Sequence, residues 1–473
     1  MKQIPRYVAL GVTVALTLSL GATPSLAASG LGDPIFPADG NTGYKVTRYA
    51  LDFDWQAPKK PFDATTTVDA EATEALTSFT LDFGGNQLRE VKVDGAAATT
   101  KRTGDKLSIT PAKALGAKQR FQVVIRYTAD PTLQRRRSDA ISVYGWIPTP
   151  DGTVLYPQPN GSRLVFPNND HPSQKAPIAI TVSTPADITA VASGTLKSRT
   201  EVAGNRVRWS YDSPQPIATQ LVGIAIGKFT VTNGTGPNGL PLRDAIPTDL
   251  VQKVEKVRTR TPGHLEWMEK RVGEYPFDNY GIVVAHTDLG VALETQTLSM
   301  FPEGDVTGTE VSAEKDMVHE LAHQWFGNSV TVRTWSDLWL SEGHARFYER
   351  VYAAEKGWEN LETKMRETYS QHDQWRKTYG PPAKPTEPKL FSRMVYDGSA
   401  LVLYALRQKV GAAAFEKIER AWVADYRDKS ASTADFIAVA SREAGTDLTA
   451  FLRSWLYDAK TPAMPGHPDW TTS

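Results

Sequence analysis

The sequence predicts an α+β, multidomain fold: an N-terminal antiparallel β-sandwich or saddle domain, then a mainly α-helical domain with a small sheet. Three observations carry this expectation. The chain has 473 residues, more than one hydrophobic core usually supports. From Tyr44 to Thr232 apolar and polar residues alternate, as in YKVTRYALDFDW and RFQVVIRYTA, which is the mark of half-buried strands. Beyond residue 241 the apolar residues recur at helical spacing, with VVAHTDLGVALETQ as a strand-like exception.

Taken in order, MKQIPRYVALGVTVALTLSLGATPSLAASG opens with Lys2 and Arg6, runs apolar from Val8 to Leu20 and closes on SLAA. This is the pattern of a secretory signal peptide, with Ser25 and Ala27 as the small residues at the cleavage positions. Residues 1–27 are therefore expected to be removed near the Ala27–Ala28 bond, giving a secreted, extracellular protein. The apolar run is shorter than the ~20 residues of a bilayer-spanning helix, so no membrane anchoring is expected. Residues 28–232 then form the β domain. The stretch NGTGPNGLP, residues 233–241, is rich in Gly, Pro and Asn and is expected to be a linker, with residues 242–473 as the second domain.

Fifty-three Lys and Arg balance fifty-three Asp and Glu, and the absence of a long run of one sign excludes a nucleic-acid stripe or a polybasic membrane patch. A monomer with small or neutral partners is expected. There is no cysteine, which excludes disulfide and thiolate chemistry. Any metal site must be built from histidine and carboxylate alone.

Such a site is suggested by MVHELAHQWFGNSV, beginning at residue 317. Ser312 is the expected cap of a helix carrying Glu314 and Asp316 in its first turn, with Gly327-Asn328 as its stop. Four residues advance a helix by about 400° and about 6 Å, so His319 and His323 project from one face and their ring nitrogens can converge on one ion. Glu320 is offset by about 100°, which suits a base beside a metal-bound water better than a ligand. Downstream, TWSDLWLSEGHARFYERVY offers a third ligand: Ser336 or Asp337 can start a second helix, and Glu342 falls one turn in, with eighteen residues between it and His323. Two His and one Glu leave a fourth tetrahedral position open, the arrangement of catalytic zinc. The competing reading is a pair of satisfied core histidines; a chance His-Glu-x-x-His in a chain of this composition arises about once in a hundred sequences, and the further glutamate lowers that again. His344, on a different helical face, is expected to line the cleft or support a ligand.

HELAHQWFGNSV followed by WSDLWLSEGHARFYE resembles the zinc aminopeptidases of the aminopeptidase N family, which includes the leukotriene epoxide hydrolase. Similarity extends to PQPNGSRLVFPNNDHPSQKAPIAITV upstream and MVYDGSALVLYALRQKVG downstream. The resemblance implies a thermolysin-like second domain that binds one zinc ion through His319, His323 and Glu342. It implies that Glu320 activates water and that Tyr396 hydrogen-bonds the tetrahedral oxyanion. LGVALETQT resembles the family's Gly-x-Met-Glu-Asn signature for the substrate's free amine, aligned onto Val291–Thr295. Only Glu294 survives from that pattern, while Ala292 and Leu293 stand where the family lines the first side-chain pocket and Gln158 resembles a second amine contact. Asn168, Ser341 and His344 also depart from the usual residues. Relatives often carry a long helical C-terminal domain, and this chain resembles a short, secreted, bacterial-type member without one. The implied function is a secreted zinc aminopeptidase acting on peptides with a free N-terminus. Two alternatives stay open: a zinc endopeptidase on the same site, suggested by the altered VALET stretch, and a catalytically silent binding module on a peptidase scaffold.

Overall fold

The computed structural model describes residues 25–26, 30–136, 142–288 and 290–472. The signal-peptide segment and its cleavage point lie outside these residues except for 25 and 26.

The first half is built on an eight-stranded sheet in the order Thr195–Val202, Arg206–Ile217, Ala176–Pro185, Tyr44–Asp54, Phe62–Ala72, Arg120–Ala129, Gln87–Val93, Ala96–Ala97. Its pairings are antiparallel except where Ala176–Pro185 runs parallel to Tyr44–Asp54, with Val182 opposite Phe53. The period-two pattern has its physical counterpart in Phe62–Ala72, where every second residue from Phe62 to Ala72 is buried. The inward faces of this sheet share one core with a smaller sheet that contains Leu76–Asp82, Thr99–Thr103 and Lys106–Thr110. Phe79, Leu81, Leu107 and Ile109 meet Phe53, Phe121 and Ile125 there.

The last strand expected in the β domain behaves differently. Phe229–Thr235 pairs antiparallel with Pro241–Pro247, so residues 233–241 form the tip of a hairpin. The hairpin continues into a four-stranded sheet through Ile282–Ala285 and Ser299–Pro302. Gly, Pro and Asn mark a tight turn as readily as a linker, which is why composition did not separate the two.

Helices dominate from there: α1 (Val251–Arg258), α2 (Thr261–Val272), α3 (Glu303–Thr307), α4 (Glu310–Ala322), α5 (Trp339–Glu355), α6 (Leu361–Tyr379), α7 (Ser399–Val410), α8 (Ala412–Asp425), α9 (Thr433–Ala444) and α10 (Thr449–Tyr457). They enclose a second core that includes Trp325, Trp339, Trp422 and Trp455. Among the described residues no helix is long and apolar enough to cross a membrane.

Two apolar clusters join the halves. One brings Val154, Tyr156 and Val191 against Val283, Leu293 and Met300. The other seats Phe36 and Leu164 against Trp335, Leu338 and Val395. The first half also holds a buried ionic group: Arg163 is 2.8 Å from Asp39 and 2.8 Å from Asp170, and Lys106 is 2.6 Å from Asp82.

Candidate metal centre and cleft

α4 begins earlier than the sequence suggests. Thr309, in extended conformation, is the cap and accepts a hydrogen bond from the Ser312 amide, so Ser312 is itself in the first turn. Glu314 and Asp316 consequently fall a turn further in. Glu314 is buried against Arg260, His264 and Tyr352, whereas Asp316 faces the cleft. His323 forms the C-cap of α4. The chain leaves through Gly327, whose φ of +124° is open to glycine and where a Cβ would collide with Ser341 Oγ.

The second helix also starts one step differently. Thr334 and Asp337 cap each other around the short 3-10 turn Trp335–Asp337, and α5 follows from Trp339. Asp337 is thus the third residue of the cap box, and its other oxygen accepts from Thr433 N and Oγ1 at 2.9 and 2.7 Å. Glu342 sits in the first turn of α5, and α5 packs beside α4.

That packing brings the three expected ligands together. His319, His323 and Glu342 each offer an atom within 4.8 Å of the other two. Glu342 Oε2 lies 3.5 Å from His319 Nε2 and 3.3 Å from His323 Nε2. The other ring nitrogens are engaged: His319 Nδ1 is 3.2 Å from Glu349, and His323 Nδ1 is 3.1 Å from the Phe326 carbonyl and 3.0 Å from Ser341 Oγ. Outer partners of this kind fix ring orientation and leave Nε2 for an ion. Glu342 Oε2 is buried without a hydrogen-bond partner. Two imidazole nitrogens and an orphaned carboxylate oxygen suit a divalent cation such as zinc.

The buried carboxylates make the site favour positive charge, a proton on a ring or a bound cation. Burial lowers the pKa of His319, but attraction to Glu342 and Glu349 outweighs it and lifts the value to about 10. Burial pushes the Glu320 carboxyl up, opposed by both histidines and reinforced by Glu294 and Glu342. Glu342 moves the other way: burial raises it, yet His323 and His319 hold it well below the usual carboxylate range.

A cleft of 510 Å³ opens over this centre and is also lined by Gln158, Ala292, Glu294, Glu320 and Tyr396. Glu320, Glu294 and His323 have side-chain atoms within 4.8 Å of one another. Gln158 Nε2 donates to Glu294 Oε1 at 2.7 Å, so the structure brings the two proposed amine contacts together. The Glu294 carbonyl accepts from Asn328 Nδ2 at 2.6 Å and from Gln324 Nε2 at 3.4 Å. Thr297 holds φ +67°, a conformation costly for a β-branched residue. Its amide donates to Gln324 and its hydroxyl accepts from the Gly194 amide, which together pin it there. Tyr396 lies in a π-turn over Met394–Gly398, its ring stacked 6.1 Å from that of His319. Burial, then the Glu342, Glu294 and Glu320 carboxylates, push its hydroxyl pKa well up, so it stays a proton donor.

Two expected residues are not in the cleft. Leu293 is buried in the cluster with Tyr156 and Met300, its amide bonded to the Met300 carbonyl. Ala292 and Glu294 on either side line the cleft, while Leu293 turns into that core. His344 is fully buried in the core, stacked 4.3 Å from Phe326, with Nε2 3.4 Å from Glu419. Conversely, Asp305, Arg346, Glu349 and Arg393 line the cleft without having been singled out, as does Asp316, expected only as a first-turn charge of the helix. Glu349 was within reach, since it lies seven residues from Glu342 on one helical face.

A family profile described as "Peptidase family M1 domain" matches residues 259–455, and one described as "Peptidase M1 N-terminal domain" matches residues 45–221. Human glutamyl aminopeptidase is 24% identical over 65% of this chain and 34% of its own length. The tricorn protease-interacting factor F2 of Thermoplasma acidophilum is 27% identical over 67% of this chain and 42% of its own length. The chain thus spans 34% and 42% of these two curated relatives. Leucine aminopeptidase 2 of Ajellomyces capsulatus is 23% identical over 92% of this chain and 74% of its own length. Among solved structures, the M1 zinc metallopeptidase of Deinococcus radiodurans superposes with a TM-score of 0.82 at 27% identity, covering 92% of this chain and 99% of that one. A mutant of that enzyme bound to a Tyr-Ser-Ala substrate matches equally well, at 0.82 and 26% identity over 93% and 100% of the two chains.

Proposed function

The chain belongs to peptidase family M1, and from that premise we propose that it is a zinc-dependent aminopeptidase that removes the N-terminal residue of peptides. The observation that carries the reading is the convergence of His319, His323 and Glu342 beside the Glu294–Gln158 pair. One zinc ion held by the first three would supply Lewis acidity toward the scissile carbonyl and acidify water.

The remaining roles fall to this chain's own side chains. Glu320, one residue from His319 and buried with Oε2 unpartnered, takes the proton of the attacking water and returns it to the leaving amine. Tyr396 donates its hydroxyl proton in a hydrogen bond to the carbonyl oxygen as charge develops there. Glu294 accepts the substrate's α-ammonium, oriented by Gln158. The proposal extends to export of a monomer, on the charged, apolar and small-residue segments of residues 1–27.

An endopeptidase is the second reading, favoured by Val291, Leu293 and Thr295 in place of the family's amine-binding signature. Matched peptides with free and acetylated amino termini separate the two. Cleavage of the free amine alone supports the aminopeptidase; equal cleavage of both contradicts it.

A further inference from the structure

Seven carboxylates and two guanidiniums line the cleft, and the proposed chemistry uses Glu294, Glu320 and Glu342. Two more are paired with arginines: Glu349 with Arg346, and Asp397 with Arg350 at 3.2 Å. Asp305 and Asp316 are left, and neither has a hydrogen bond or ion pair among the described residues. The nearby Lys315 is taken by Glu359 and lies 3.6 Å from Glu349.

Their placement is specific. Asp316 precedes Glu320 by one turn on α4 and so shares its face. Asp305 belongs to α3, which packs on α4, and its carboxylate acts on that of Asp316. The buried hydroxyl of Tyr156 lies within the influence of both Asp305 and Glu320. Glu320 itself is 7% exposed and keeps Oε2 without a partner on this wall of the cleft, so the wall presents an unmet demand for donors.

The direction of the substrate follows from the helix. Glu294 groups with Glu320 and His323, toward the C-terminal end of α4, while Asp316 lies a turn before His319. Residues 316 and 323 are separated along the axis by about 10 Å. A peptide with its amine at Glu294 and its first carbonyl at the ligand triad therefore runs its second residue toward Asp316 and Asp305. Resting on the aminopeptidase reading, we propose that these two aspartates form the pocket for the substrate's second side chain and select lysine or arginine there. Their mutual repulsion, which Arg346 and His319 offset only in part, is relieved when such a side chain enters.

The test compares Ala-Lys-Ala with Ala-norleucine-Ala, which differ by the ammonium alone. Turnover is measured on the zinc-loaded wild type, and binding by calorimetry on zinc-loaded Glu320→Gln. The expected result is at least a tenfold preference for lysine in kcat/KM and in Kd, collapsing toward unity in both Asp316→Asn and Asp305→Asn and weakening with added salt. Turnover of both peptides with equal constants overturns the pocket and leaves the aminopeptidase standing. A lysine preference in binding without any turnover keeps the pocket and overturns the aminopeptidase. A preference that persists unchanged in both aspartate variants also overturns the pocket.

Discussion

Glu320 and Glu294 are both buried carboxylates within reach of His323, yet the proposed roles predict opposite signatures for their loss. Glu320→Gln keeps zinc at one equivalent and lowers kcat by about a thousandfold or more, since a positioned base contributes up to about 10⁴; metal analysis alongside turnover checks this. Glu294→Ala instead raises KM for free-amine peptides by about tenfold or more, in line with loss of a charge-assisted hydrogen bond. A third residue reports on pH. His372 is fully buried and accepts a hydrogen bond from Arg376 at 3.3 Å. Burial, then Arg376, hold its pKa at about 3 against an ordinary 6.5. Above pH 6.5 both folded and unfolded chains keep the ring neutral and it contributes nothing. Below, the unfolded chain binds a proton that the folded chain refuses, so stability falls with acidification by about 1.4 kcal/mol per pH unit down to the folded value. Denaturation midpoints between pH 7.5 and 5 should therefore decline less steeply in His372→Gln than in the wild type.

Single elements decide whether these residues meet. α4 carries both histidines, and its cap is Thr309. Thr309→Ala should cost about 1 kcal/mol of stability, and Ser312→Ala, in the first turn, under about 0.5 kcal/mol, both read by chemical denaturation. Beyond the opposite, C-terminal end of α4, Asn328 anchors the VALET segment, so Asn328→Ala should raise KM severalfold with zinc retained. The pairing of His319 with His323 was legible in the sequence because it is a local, four-residue property of a helix. The cap was not, because Thr309 and Ser312 are both good cap residues and only the backbone chooses between them. Asp316 reads as a first-turn charge, and Arg346 and Glu349 carry no local signal, until α4 and α5 are packed together. Leu293 was expected in the cleft and packs in the core instead, because its backbone pairs with Met300, a partner the local sequence does not name.

Across the whole molecule, the cleft depends on two halves held in register. Gln158 comes from the first and Glu294 from the second, and nearby Arg163 is buried between Asp39 and Asp170. Arg163→Met leaves two carboxylates buried and unpaired and should destabilise the fold by about 3–5 kcal/mol, measured as a lower denaturation midpoint. The change from strand to helix periodicity was readable from residues 44 to 473, whereas the hairpin at 233–241 and the parallel pairing of Ala176–Pro185 with Tyr44–Asp54 depend on long-range partners that no local pattern names. The most direct measurement is hydrolysis of matched free-amine and N-acetylated peptides by wild type, chelator-treated and zinc-reconstituted protein. A zinc aminopeptidase cleaves the free-amine peptide alone, loses activity on chelation and regains it with zinc. Equal cleavage of both peptides, or activity indifferent to the chelator, would contradict that reading.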